Sequence, residues 1–131
     1  MPKIDVVETG TPAPLDSAFL DKWVEYKGQR VTEIPAGENF DIRCKIRARN
    51  PGALTWETLV TCFSSDGTIA VYDTTYAYSD PYVTPSLETI KVDTPAPGFS
   101  APKMPNTDIT LNFRLWGNDT REQTVPPISN W

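Results

Sequence analysis

Apolar and polar residues alternate most regularly over 40–48, where Phe40, Ile42, Cys44, Ile46 and Ala48 are interleaved with Asp41, Arg43, Lys45, Arg47 and Arg49. A period of two is that of a strand with one face on a core and the other on solvent. A second such run covers 109–116, with Ile109, Leu111, Phe113 and Leu115 inward and Thr110, Asn112, Arg114 and Trp116 outward. The stretch 56–63 differs, because Trp56, Val60 and Cys62 on one parity face Leu59 and Phe63 on the other. It predicts a central strand whose second face is also covered.

Weaker alternation predicts strands at 23–26 and 29–32 around a Lys27-Gly28 turn, at 68–72 after the turn Ser64-Ser65-Asp66-Gly67, and at 87–92. The segment 73–86, rich in Tyr, Thr, Ser, Asp and Pro, is expected to be irregular or edge structure, and 94–105 is proline-rich. Near the start, Asp16 to Trp23 predicts a single helical turn, with Asp16 as N-cap and Phe19, Leu20 and Trp23 on one side. About seven short strands in one chain of 131 residues point to an all-β fold, an antiparallel two-sheet sandwich with extended arms at both ends. A closed barrel is the alternative. The expected organisation is an N-terminal arm over 1–22, a sandwich over 23–117 and a C-terminal tail over 118–131.

Composition narrows the function more than the fold. There is no histidine, which removes the commonest general base and the commonest zinc ligand. No catalytic set, metal site or cofactor site is therefore expected. Calcium could be considered at Asp66 or Asp119 in turns, but no Asp-x-Asp-x-Asp loop is present. Asn118-Asp119-Thr120 matches a glycosylation sequon by pattern alone. A net charge of −5 disfavours nucleic acid as a partner and is ordinary for solubility. No apolar run approaches the roughly 20 residues of a membrane span, and the first residues show no apolar signal core.

Four groups of residues are candidates for interaction. Cys44 and Cys62, on consecutive strands, are either a disulfide between sheets or two buried free thiols. Arg43, Lys45, Arg47 and Arg49 form a basic stripe, either an anion patch or a solvated face paired with carboxylates such as Glu33, Glu88 and Asp93. Tyr72, Tyr76, Tyr78 and Tyr82, with Trp56 and Trp116, offer a flat aromatic platform for a carbohydrate beside Asp73, Asp80 and Asn118, or a protein contact, or simple packing. Phe19, Leu20, Trp23, Leu59, Phe63, Ile128 and Trp131 are candidate assembly contacts, several of them in the two arms.

The run Pro35-Ala36-Gly37-Glu38-Asn39-Phe40, its alternating strand and Arg49-Asn50-Pro51-Gly52 resemble the opening of immunoglobulin-like domains of the CARDB and fibronectin type III kind. Met104-Pro105-Asn106-Thr107-Asp108-Ile109 resembles the lead-in to their final strand, so the resemblance spans about 31–116. It implies an immunoglobulin-like sandwich used for adhesion, spacing or assembly, often on cell surfaces or virions, with no catalytic residues. The expectation is a structural module such as a virion decoration (capsid-associated) or surface-filament protein, with protein partners in a homo-oligomer or larger assembly. A carbohydrate-binding or adhesion module is the alternative.

Overall fold

A computed structural model of the chain describes residues 1–10, 18–48, 56–78, 86–118, 125 and 127–131. The strands are β1 (Ile4–Glu8), β2 (Ala18–Tyr26), β3 (Gln29–Val31), β4 (Asp41–Ala48), β5 (Trp56–Ser64), β6 (Ala70–Tyr78), β7 (Ser86–Lys91), β8 (Thr94–Pro95) and β9 (Ile109–Asn118). A single 3-10 turn follows at Ile128–Asn130. The chain is all-β, and no α-helix occurs among the described residues.

Two sheets share one core. One has the order β3-β2-β4-β7 and is antiparallel throughout. The other has the order β1-β9-β5-β6-β8 and is antiparallel except where β1 runs parallel to β9. The alternation in 40–48 places Ile42, Cys44 and Ile46 in the core, facing Val60, Cys62 and Phe113 of the second sheet. The run 109–115 behaves the same way, with Leu111 and Phe113 fully enclosed.

The stretch 1–22, expected as an arm, supplies β1 and the first residues of β2. The helical turn expected over Asp16–Trp23 is strand from Ala18 onward, because pairing with β4 satisfies the backbone that a lone helical turn would leave open. A bulge between Phe19 and Asp21 inserts Leu20 as an extra residue. Phe19 therefore faces inward, edge-on to Phe113 at 5.8 Å, while Asp21 and Trp23 lie across from Lys45 and Arg43. Leu20 is left exposed.

The segment from 73, expected to be irregular or edge structure, is strand as far as Tyr78, paired with β5 there and with β8 only at Val71 and Tyr72. The Lys27-Gly28 and 64–67 turns are as expected. Gly28 and Gly67 carry positive φ of 77° and 79°, which glycine adopts without strain.

The first residues also stitch the two sheets together. Ile4 N–H donates to the Thr32 carbonyl at 2.9 Å and Ile34 N–H to the Pro2 carbonyl at 3.2 Å, while Ile109 N–H donates to the Lys3 carbonyl at 2.9 Å. Elsewhere in the fold, Gly37 N–H donates to the Met104 carbonyl and Met104 N–H to Glu38, both at 2.8 Å, so the proline-rich segment is held against the lead-in to β4. No helix among the described residues is long and apolar enough to cross a membrane.

Candidate binding faces

The outer face of the five-stranded sheet answers why 56–63 is apolar on both parities. Val60 and Cys62 point into the core, and Leu59 and Thr61 are equally buried on the opposite face. Thr61 is the middle of a row, paired with Tyr72 on β6 and Arg114 on β9. The Trp116 indole N–H donates to Thr61 Oγ1 at 3.0 Å, and the Arg114 guanidinium lies 3.6 Å from the Trp116 ring centre. Phe63 is covered by the ring of Trp131, edge-on at 6.3 Å. Asn112 Nδ2 fixes the far end by donating to the Phe63 carbonyl at 3.1 Å and to Ser65 Oγ at 2.9 Å.

Of the expected aromatic platform, the structure brings Tyr72 and Trp116 onto this one face. Trp56, Tyr76 and Tyr78 belong to β5 and β6, with a register shift between Thr58 and Leu59, so Tyr72, Tyr76 and Tyr78 do not share one unbroken row. The side chains of Trp56, Tyr76, Tyr78 and Asn118 and all of Tyr82 and Asp80 lie outside the described residues.

The outer face of the four-stranded sheet carries the basic stripe, and its partners differ from those expected. Arg43 Nε lies 3.3 Å from Glu25, and Lys91 lies 3.5 Å from Asp41. Glu88 is exposed and paired in register with Ile46, and Glu33 meets Lys3 through an isolated backbone β-bridge. Trp23 is set among these charges: its indole N–H donates to Glu25 Oε2 at 2.7 Å, and Arg30 sits 5.1 Å from its ring centre. Arg30 also grips Asp21 with two hydrogen bonds of 2.7 and 3.0 Å, which hold the Asp21 carboxyl below the usual carboxylate range. Lys45 and Arg47 have no ion pair among the described residues, and exposed Leu87 stands across from Arg47. Arg49 lies outside the described residues.

Cys44 and Cys62 are buried free thiols on facing sheets. Burial pushes the Cys44 thiol up to about 12, and burial of Cys62 raises it well above its ordinary value. Neither is a nucleophile at neutral pH, because the thiolate is the reactive form. Asp66 is a turn-former. Burial opposes its charge, but hydrogen bonds from Ser64 Oγ (2.6 Å), Thr68 Oγ1 (2.8 Å) and Thr68 N–H (3.1 Å) prevail and keep its carboxyl low. No group of three potential metal ligands occurs among the described residues, and Asp119 is not among them.

The candidate assembly contacts separate into four kinds. Phe19 and Leu59 are packed within the chain, Phe63 and Trp131 cover one another, Trp23 is half-buried and bonded to Glu25, and Leu20 and Ile128 are exposed. A groove of about 320 Å³ opens where β1 meets the Thr32 segment, and another of about 360 Å³ lies between Asn39–Ile42 and Lys91–Asp93. β1 is barely legible in the sequence. Its only signal is the alternation of Ile4 and Val6, too short to stand out. Arg114 carries no signal of its role either, since its stack on Trp116 joins neighbours two apart on one strand.

The arrangement is that of a two-sheet β protein whose faces carry paired charges and capped aromatics. The chain matches no protein-family model, no curated protein and no solved structure, so the geometry alone bears on function.

Proposed function

We propose that this chain is a non-catalytic structural module that works by assembly, in the manner of a virion decoration (capsid-associated) or surface-filament subunit. The observation that carries this reading is the use of residues 1–10 and of Trp131 as sheet surface. The N-terminal strand completes one sheet and ties it to the other, and Trp131 covers Phe63. Such elements act equally well when delivered to a neighbouring copy. Exposed Leu20 and Leu87 add apolar contact points beside the charged face. Catalysis is disfavoured by the lack of histidine and by two thiols held protonated.

The resemblance to CARDB and fibronectin type III domains belongs to the same proposal. In its support, the Pro35–Glu38 turn feeds β4 inside the four-stranded sheet, and the segment from Met104 feeds β9 beside β5. The carbohydrate alternative has Tyr72 and Trp116 on one face in its favour, but Arg114 already occupies a face of the Trp116 ring.

Sedimentation velocity over a wide concentration range, with negative-stain microscopy of the same samples, tests the proposal. Species larger than the 14.6 kDa chain are expected. A strict monomer at every concentration overturns it, and a hit on a glycan array with that monomer would favour the alternative.

A further inference from the structure

We propose that β1 is an exchangeable strand, so that residues 1–10 of one copy occupy the slot along β9 of a second copy. This deepens the assembly reading and rests on it.

The slot is defined by main-chain groups. Besides the three hydrogen bonds that tie Pro2–Ile4 to Thr32, Ile34 and Ile109, Thr9 N–H donates to the Phe113 carbonyl at 2.8 Å. These groups depend on the backbone of 1–10 and not on which copy supplies it. Of the β1 side chains only Ile4 is buried, and Asp5 and Glu8 are exposed. The strand is thus seated by backbone pairing, by buried Ile4 and by half-buried Val6 against the core, with an open groove of about 320 Å³ beside Ile4, Thr32 and Ile109.

The direction of pairing points the same way. β1 is the only parallel partner in its sheet among the described strands, and a parallel neighbour is never reached by a hairpin. Its connection passes from one sheet to β2 in the other, beginning at Gly10 with φ 81°. Gly10 is also the point of departure from the sheet, close enough to Arg114 that a Cβ there would stand 2.8 Å from Arg114 Cδ. Leaving β9 bare would expose a row of unpaired backbone groups and empty the Ile4 position, so the slot demands a strand. Exchange keeps every one of these contacts and changes only which chain provides them.

The register supplies the test. Asp5 is across from Thr110, whereas Glu8 is across from Phe113. Asp5→Cys and Thr110→Cys single variants are refolded together from denaturant at high protein concentration and oxidised, with Glu8→Cys plus Thr110→Cys as the off-register control. The expected result is a disulfide-linked dimer containing one copy of each variant, at least tenfold more abundant than in the control. The Asp5→Cys/Thr110→Cys double variant shows that the register forms, by closing a bond within or between chains. If that double variant closes only within one chain and the mixed singles give no excess heterodimer, exchange is overturned. Wild-type sedimentation then separates the two readings: an oligomer without cross-copy links removes exchange and leaves assembly standing, and a strict monomer removes both.

Discussion

Thr61 and Trp116 are joined by a hydrogen bond from the indole N–H to the threonine Oγ1, 3.0 Å long, on the outer face of the five-stranded sheet. Thr61 is fully buried although it points away from the core. The bond turns a sheet face that would otherwise meet water into a second packed layer, closed above by Arg114.

Thr61→Val tests that layer. The substitution keeps the shape and removes the acceptor, so the indole N–H loses its partner at a cost of about 1–3 kcal/mol. Urea unfolding should show a lower midpoint with an unchanged slope, and Trp116 fluorescence should shift to the red. An unchanged midpoint would mean that the face is held by Arg114 stacking alone.

Ile4→Ala tests the N-terminal plug. Truncating a buried isoleucine costs about 2–5 kcal/mol, and at this edge position the low end applies. The loss should be local as well as global. Hydrogen exchange should accelerate first at the Ile4, Ile34 and Ile109 amides, which donate across the seam. Uniform acceleration across both sheets would show that β1 is an integral part of the core and cannot leave separately.

The two thiols provide a third measurement. Both are buried and pushed well above the usual thiol range, so a thiol reagent at pH 8 should leave them unmodified in the folded chain. In denaturant both should react at once. Because they face one another from different sheets, their reaction rate follows opening of the whole sandwich. Rapid native-state labelling of either would contradict its burial.

Much of this fold could be read from alternation alone, since 40–48 and 109–116 carry the period-two signal that decides which face is buried. Where the reading failed, long-range pairing had overruled local pattern. Phe19 and Asp21 have the same parity, and only the bulge at Leu20, set by the partner strand β4, sends them to opposite faces. β1 is legible only once β9 is in place, because a strand of five residues with one buried side chain draws its stability from its neighbour's backbone. The charge partners were missed for a related reason: Glu25 meets Arg43 through register, which sequence spacing does not reveal.

Acid titration gives the fourth prediction. The Asp66 and Asp21 carboxyls are lower in the folded chain than the roughly 3.9 of a free aspartate. The folded state therefore binds fewer protons than the unfolded one as pH falls. Their stabilisation is complete above about pH 4–5 and is lost as pH drops through the folded values. Melting temperature should be flat from pH 7 to 5 and fall below that. In Asp66→Asn the acid fall should be shallower, with wild type and variant converging at the lowest pH. The two groups are separable by salt. Asp21 is held by an exposed pairing with Arg30, which 1 M salt screens to about 3 Å. Asp66 is held by neutral donors within its own turn. Lys22 N–H also donates to Asp21 at 2.8 Å, so high salt should weaken the effect of Asp21→Asn without removing it and preserve that of Asp66→Asn. The reverse order would show that Asp66 acts through long-range charge and not through the turn it caps.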